Sequence, residues 1–198
     1  MRLFKRLFGA KLGLREKNFE YVLRDKNGNI KPIFQPNGLC LFLIKKGFLS
    51  ANSEQIKNIP FLFGNWRNKM VIANLITNTG KAAVASRING SGAEAAFTYA
   101  AIGIGTTAAA ATDATLKSEI TTNGGQRAAI TPTRVTTTVT NDTARHVVTF
   151  TFTGSFAVTE AGLLNAASVG VLLNRQVFTA VNVVSSDSLQ ITIDVSVG

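Results

Sequence analysis

The chain is poor in the residues on which enzyme sites, metal centres and covalent cross-links depend. It contains one cysteine, one histidine and 11 acidic residues among 198. A single cysteine excludes a disulfide within the chain, and the apolar neighbours of Cys40 indicate a small buried side chain. Zinc sites need several closely spaced Cys or His ligands, and calcium loops need a fixed spacing of oxygen ligands. We therefore expect no metal and no cofactor.

The polar residues that are present form no recognisable catalytic set. The acidic residues are scattered, without an Asp-x-Asp motif or a close pair of glutamates. His146 lies at the start of a predicted strand, with no nucleophile motif beside it. Gly103 and Gly105 lack the third glycine of a dinucleotide-binding fingerprint, because position 108 is alanine, and they indicate a tight turn. The sequence therefore predicts a protein that is not an enzyme and has no catalytic residues.

Long apolar runs are also missing. The longest run, Leu39–Ile44, is far shorter than the roughly 20 residues that a membrane-spanning helix needs. Near the N-terminus, basic residues interrupt each apolar stretch, whereas a secretory signal needs a continuous one. We therefore expect neither a membrane span nor a signal peptide.

Charge is scarce and unevenly placed along the chain. Charged residues make up 16% of the sequence, below the roughly 25% of typical soluble proteins. Residues 1–70 contain 14 Lys or Arg and 4 Asp or Glu, whereas residues 71–198 contain seven of each. The basic region is therefore expected to bind an anionic partner, and the neutral region is not.

Residues 1–18 are predicted to form a basic amphipathic docking arm. Its apolar residues fall on one face of a short helix, and its basic residues occupy much of the rest. A free helix of about twelve residues is marginally stable, so the arm should become ordered on a partner. The favoured partner is a groove on another protein, with nucleic acid, a membrane surface and plain disorder as alternatives. The predicted docking residues are Arg2, Leu3, Phe4, Lys5, Arg6, Leu7, Phe8 and Lys11.

Residues 19–70 are predicted to form a hairpin followed by a linker or embellishment. Residues 19–25 have the composition of a strand, and the Asn-Gly pair that follows is a strong turn signal. Ile30–Phe34 is the expected returning strand, and Pro32 places it at an edge. Residues 39–70 contain short apolar runs without a periodicity that assigns a fold.

Residues 71–198 are predicted to form one antiparallel β domain. A short helix is expected over Lys81–Ile88, between capping residues and the stop signal Asn89-Gly90. Strict alternation of apolar and polar residues predicts strands over 148–153 and 189–197. The fold class is therefore mainly β: an antiparallel β-sandwich or jelly-roll-like C-terminal domain with one short helix, preceded by a basic N-terminal arm and hairpin. The side chains expected in the core are Val148, Phe150, Phe152, Leu189, Ile191, Ile193 and Val195.

An ordered series of segments within residues 74–198 resembles a family of virion proteins. The series runs Asn74-Leu-Ile-Thr-Asn-Thr-Gly-Lys81, Phe97-Thr-Tyr-Ala-Ala-Ile-Gly-Ile-Gly-Thr-Thr107, Ala111-Thr-Asp-Ala-Thr-Leu-Lys-Ser-Glu-Ile120, Arg127, Glu160-Ala-Gly-Leu-Leu-Asn165 and Leu172-Leu-Asn-Arg-Gln-Val-Phe178. It is similar to virion proteins of tailed phages and prophages, and to the N-terminal attachment domain of phage tail-collar fibres. Leu164 stands where that family commonly has Phe.

The resemblance implies a non-enzymatic structural protein of the virion, assembled in the cytoplasm of the bacterial host. It implies a tail, baseplate or fibre-attachment adaptor that docks on other virion proteins and on copies of itself as a homo-oligomer. A complete fibre carries shaft repeats, which this sequence lacks, so an attachment or covering module is expected. A capsid decoration protein is the first alternative. A nucleic-acid-binding protein that uses the basic arm follows, and an enzyme such as a cell-wall hydrolase comes last.

Overall fold

The fold is given by a computed structural model that describes residues 14–49, 54–73, 75–92 and 94–197. The predicted docking residues of the arm, from Arg2 to Lys11, lie outside the described residues. The strands are β1 Leu14–Arg24, β2 Ile33–Pro36, β3 Gly64–Arg67, β4 Met70–Ile72, β5 Leu75–Ile76, β6 Tyr99–Gly103, β7 Ala128–Ala129, β8 Thr133–Val135, β9 Thr143–Thr151, β10 Phe156–Leu164, β11 Leu172–Val183 and β12 Ser188–Val197. The helices are α1 Gly38–Lys45, α2 Glu54–Asn58, α3 Pro60–Phe63 and α4 Asn78–Asn89.

Two antiparallel sheets form the framework of the described chain. The first has the strand order β4-β1-β12-β9-β8 and the second has the order β5-β11-β10-β6-β7, while β2 and β3 form a separate ribbon. Side chains from both sheets meet in one core, where the ring of Phe19 stacks on that of Phe178 with 5.6 Å between centroids. The prediction of a mainly β, sandwich-like fold is therefore confirmed.

The core is built from the alternating strands that the sequence predicts. In β12 every second residue from Leu189 to Val195 is apolar and buried, and Leu189 and Ile191 lie opposite the buried Phe150 and Val148 of β9. Each of the seven side chains expected in the core is at most 6% exposed. Because side chains alternate between the two faces of a strand, one correct register buries the whole apolar set.

Strand β1 extends the sandwich beyond the predicted 71–198 segment. It lies between β12 and β4, and its ladder to β12 begins where Leu14 is opposite Val197. Phe19, Tyr21 and Leu23 alternate along β1 and are at most 4% exposed. Residues 14–18, which the sequence assigns to the arm, thus form the first part of a sheet strand. The period-two burial of β1 requires a facing layer, and the second sheet supplies it, with Phe178 packed against Phe19 and Tyr21.

Of the hairpin predicted after residues 19–25, the structure has the turn but not the returning strand. The Asp25 carboxylate accepts hydrogen bonds from the backbone N–H groups of Asn27 and Asn29, and Gly28 adopts a left-handed conformation with φ of 81°. Beyond the turn, one bridge joins Arg24 to Ile30, and then the chain leaves β1. The next strand, β2, pairs with β3 instead, so the returning strand predicted next to β1 is wrong.

Residues 33–67 form a small unit that we call the helical insertion. It comprises the β2–β3 ribbon and the helices α1, α2 and α3. The side chain of Asn37 accepts a hydrogen bond from the N–H of Cys40 and caps α1, while its amide donates to the carbonyl of Leu62 in α3. A single capping residue therefore also ties α1 to α3.

Helix α4 confirms the predicted helix and its capping signals. The Thr77 hydroxyl accepts a hydrogen bond from the Gly80 N–H and donates to the carbonyl of Leu172 at 2.6 Å, so the cap also fastens the helix to β11. A Cβ atom on Gly80 would lie 2.4 Å from the carbonyl oxygen of Leu173. Glycine is therefore required for this close approach. The helix ends at Gly90, which has φ of 68°.

Replacing Phe150 with Ala is expected to lower the free energy of unfolding by about 3–5 kcal/mol, because it opens a cavity in the core between the sheets. Phe150 is 2% exposed. Val147→Ala is the matched control on the same strand, since Val147 is 44% exposed, and it should cost less than about 1 kcal/mol. Denaturant unfolding of the three proteins measures both values. Similar costs for both substitutions would place the core on the wrong face of β9.

Candidate functional site

A buried ion cluster lies where β10 and β11 meet the loop that follows β6. The Nε atom of Arg175 donates to Oε2 of Glu160 at 2.7 Å, and its Nη1 atom donates to Oδ2 of Asp113 at 2.9 Å. The side chains of Arg175 and Glu160 are fully buried, and that of Asp113 is 4% exposed. Charges this deeply buried are stable only when they are paired and hydrogen-bonded, as they are here.

Backbone groups complete the partners of the cluster. The carboxylate of Glu160 accepts hydrogen bonds from the N–H groups of Gly105, Lys117 and Ser118, at 3.1, 3.1 and 2.7 Å. The Nη2 atom of Arg175 donates to the carbonyl of Thr107 at 3.0 Å. The cluster therefore holds the loop at residues 105–107 and again at 117–118.

Asp113, which lies in the same loop between residues 105 and 118, also joins the loop to the cluster. Its carboxylate accepts from the Ala110 N–H at 2.9 Å and pairs with the Nζ atom of Lys117 at 2.7 Å. Burial acts to raise the pKa of Asp113, but hydrogen bonds from Lys117, Ala110 and Arg175, together with the positive charge of Arg175, outweigh it and bring the pKa to about 2. Asp113 is therefore ionised at neutral pH, and the loop is fixed by charge as well as by backbone hydrogen bonds.

The two glycines of the Gly103-x-Gly105 turn make room for the Glu160 carboxylate. A Cβ atom on Gly103 or Gly105 would lie 2.6 or 2.4 Å from Oε1 of Glu160. The Thr159 hydroxyl also donates to the carbonyl of Gly105 at 2.9 Å. The close approach between this turn and a carboxylate of β10 explains both glycines without a bound nucleotide.

A second ion pair extends the network toward the neighbouring loop. Arg127 makes two hydrogen bonds to the Glu119 carboxylate, at 2.6 and 2.9 Å, and its Nη1 atom donates to the carbonyls of Ala166 and Val169. Such a two-point contact between a guanidinium and a carboxylate fixes orientation as well as distance. The pair therefore fastens the loop after β10 to the segment that precedes β7.

The cluster has the chemistry of a structural clamp. Its charged groups face one another and backbone atoms, and Glu160 and Arg175 have no exposed surface. Sequence reasoning quoted these residues within the resembling segments but did not predict that they meet. The available signal was a Glu and an Arg that each stand next to apolar residues, since buried charges require opposite partners.

His146 and Cys40 are both buried. His146 is 4% exposed, burial lowers its pKa, and its Nδ1 atom has no hydrogen-bond partner among the described residues. Cys40 has no exposed surface, as expected for a small buried side chain, and burial raises the pKa of its thiol. Each side chain is therefore held in its uncharged form at neutral pH.

A second feature is the exposed apolar surface of the helical insertion, which sequence reasoning did not single out. The side chains of Phe61, Phe48 and Phe42 are 87%, 75% and 54% exposed. Leu41 and Trp66 are about half exposed on the neighbouring α1 and β3. The short apolar runs within residues 39–63 could have indicated this surface. They form short helices with apolar residues on all sides, and such helices cannot bury every side.

An apolar crevice separates the helical insertion from the second sheet. It has a volume of about 600 Å³, and a smaller cavity of about 290 Å³ adjoins it. Pro36, Leu41 and Phe178 line both. Cys40 lines the larger cavity and Tyr21 lines the smaller one. Leu41 is also 53% exposed, so the crevice meets the exposed apolar surface at this residue.

The described residues contain neither a metal-binding group nor a membrane-spanning helix, and the chain has no match among known proteins. Within residues 14–49, 54–73, 75–92 and 94–197, no group of three or more His, Cys, Asp or Glu side chains is placed to hold a metal ion. No helix in that part of the chain is long and apolar enough to cross a membrane. No family model, curated protein or solved structure matches the chain.

Replacing Glu160 with Gln is expected to destabilise the fold by about 3–5 kcal/mol, because it removes one of the two carboxylates that pair with the buried Arg175. The new amide also presents a donor to backbone N–H groups that need an acceptor. Glu20→Gln is the matched control, since the Glu20–Lys69 pair is partly exposed, and it should cost less than about 1 kcal/mol. Equal costs in denaturant unfolding would show that the buried cluster is not a clamp.

Asp113 is expected to make stability depend on pH in acid. Its pKa in the folded protein is about 2, below the ordinary value of 3.8. A group whose pKa is lowered by folding stabilises the fold at pH values above its pKa in the unfolded protein. This contribution is lost as the pH falls toward its pKa in the folded protein. Unfolding measured between these two pH values should show a steeper loss of stability for the natural protein than for Asp113→Asn. Parallel pH profiles would contradict the assignment.

Proposed function

We propose that the chain is a non-enzymatic structural component of a tailed phage particle. In this proposal it is a tail, baseplate or fibre-attachment adaptor that docks on neighbouring virion proteins and on copies of itself. The supporting observation is that the segments which resemble the attachment domain of tail-collar fibres, although far apart in sequence, are joined to one another by hydrogen bonds and ion pairs.

Four of the six resembling segments contribute a group to the buried ion cluster, and Arg127, the fourth in the series, pairs with Glu119 of the third. Gly105 comes from the second segment, Asp113 and Ser118 from the third, Glu160 from the fifth and Arg175 from the last. Thr77, from the first segment, donates to the carbonyl of Leu172 in the last. A resemblance that maps onto one folded network supports a shared structural unit, since unrelated fragments of similar composition have no reason to contact one another.

The basic arm supports the docking part of the proposal. Four apolar side chains on one helical face contribute about 1.5–3 kcal/mol each when fully buried. Ordering twelve residues costs about 1–2 kcal/mol of backbone entropy each. The arm alone therefore does not offset its ordering cost, and the hydrogen bonds and ion pairs of a partner are needed to hold it.

The neutral sandwich leaves a capsid decoration protein as the second candidate. Residues 71–198 have seven basic and seven acidic residues, and a neutral β-rich surface fits many close-packed copies equally well. The number of copies in purified particles separates the two: hundreds favour decoration, and a few dozen or fewer favour the tail.

Deleting residues 2–13 is expected to leave the melting temperature nearly unchanged and to abolish incorporation into particles. The deletion ends before Leu14, because β1 begins there and a longer deletion would remove part of the first sheet. The amount of protein in purified particles and the thermal unfolding of the free protein are the two measurements. Normal incorporation of the shortened chain would contradict the docking role of the arm.

Two full-length variants separate the contributions within the arm. One replaces Leu3, Phe4, Leu7 and Phe8 with Ser and keeps the charges, and the other replaces Arg2, Lys5, Arg6 and Lys11 with Ser and keeps the apolar face. A protein groove requires the apolar set. If the nucleic-acid alternative holds, the basic set alone matters, and binding to unrelated DNA sequences weakens steeply between about 50 and 200 mM salt.

A further inference from the structure

The helical insertion differs from the rest of the surface in the kind of side chain it exposes. Exposed aliphatic side chains occur elsewhere singly, such as Ile88 on α4. Within the part of the chain that the structure describes, every exposed large aromatic residue lies in residues 33–67: Phe42, Phe48, Phe61 and Trp66. Single exposed apolar residues are ordinary, but a group of aromatics on one small unit is typical of an interaction site.

These aromatics belong to elements that are held together. Asn37 bonds to the backbone of both Leu62 and Phe63, which brings the start of α1 to α3. In the ribbon, Phe34 lies opposite Trp66, and their rings meet edge to face with 5.5 Å between centroids. The apolar side chains of the insertion are thus displayed by one connected unit and not by separate loops.

The concave surface beside this unit favours a protein as the partner over the flat surface of a membrane. The crevice between the insertion and β11 has a volume of about 600 Å³, within the size range of pockets that take up a ligand or an anchoring side chain. Anchors of protein interfaces are aromatic or aliphatic side chains that enter such pockets. A bilayer surface does not enter a concave space between two parts of a protein.

Charge selects an acidic partner. Residues 33–67 contain four Lys or Arg and one acidic residue, Glu54. Lys45, Lys46 and Arg67 are exposed, and no ion pair involving them occurs within the described residues. Residues 1–13 are basic without an acidic residue, so like charge disfavours both the arm and a second copy of the insertion as the occupant.

We propose that the helical insertion binds an acidic amphipathic segment of another protein. The apolar side chains of that segment contact Phe42, Phe61 and Trp66, and one of them enters the crevice as an anchor. Its carboxylates pair with Lys45, Lys46 and Arg67. This is a docking surface separate from the arm. It rests on exposure, concavity and charge, and not on the proposed function in a phage particle.

Trp66 makes the proposal directly measurable, because it is the only tryptophan of the chain and lies in the surface itself. The probe is a synthetic Trp-free helical peptide of about five turns, with Leu and Phe on one face and Glu on the other. Its titration should shift the emission of Trp66 to shorter wavelength, to saturation, with an affinity that falls as salt is raised. The same peptide with Lys in place of Glu should bind at least about tenfold more weakly.

Matched surface variants test whether the site is the one described. Phe61→Ser should weaken binding of the acidic peptide by about tenfold or more. Ile88→Ser removes a side chain of similar exposure, 78% against 87%, and should leave the affinity unchanged. Neither side chain is part of the core, so both variants should keep the melting temperature of the natural protein.

Four outcomes overturn the proposal. The first is no response of Trp66 to the acidic peptide, and the second is equal weakening by Phe61→Ser and Ile88→Ser. The third is a response to vesicles of phosphatidylserine and phosphatidylcholine without one to the peptide, which assigns the surface to a membrane. The fourth is self-association in sedimentation that Phe61→Ser abolishes, which assigns it to a second copy. The peptide titration involves no particle, so its result is independent of the incorporation experiment.

Discussion

The buried pair between Glu160 and Arg175 is the constraint on which the second sheet and its loops depend. Moving two charges out of water costs several kcal/mol each, and their attraction offsets this only when every remaining donor and acceptor has a partner. Here the missing partners are backbone groups, from Gly105 to Ser118. The cost of burial is therefore offset only when the loop adopts one conformation, which makes the pair a device for specifying backbone structure.

The sequence indicates those parts of the fold that depend on local pattern. The alternation of β12 and the caps of α4 are local signals, and both give the correct element. The position of β1 depends on a ladder between residues separated by most of the chain, which no local pattern contains. The ion cluster is hidden for the same reason: Asp113 and Arg175 are 62 positions apart, and periodicity does not tell which buried charges are partners.

The sandwich and the helical insertion differ in the kinds of side chain that they bury and expose. The sandwich is clamped by internal ion pairs, whereas the exposed aromatic side chains lie in the helical insertion, which also has more basic than acidic residues. The insertion is joined to the sandwich on both sides by strands of the first sheet, β1 before it and β4 after it. Substitutions at the exposed side chains of the insertion therefore leave the core intact, whereas its buried Ile33 belongs to that core.

The place of β1 between β12 and β4 has a consequence for how the protein forms on the ribosome. The first strand of the described chain finds its main partner in the last, so it emerges long before its ladder can close. Contacts of such long sequence separation carry a large loop-closure entropy and slow the folding of β proteins. During synthesis, β1, with the apolar face of Phe19, Tyr21 and Leu23, lacks this partner until β12 has been made. The nascent chain is therefore most exposed to aggregation, and to chaperones, at its N-terminal strand.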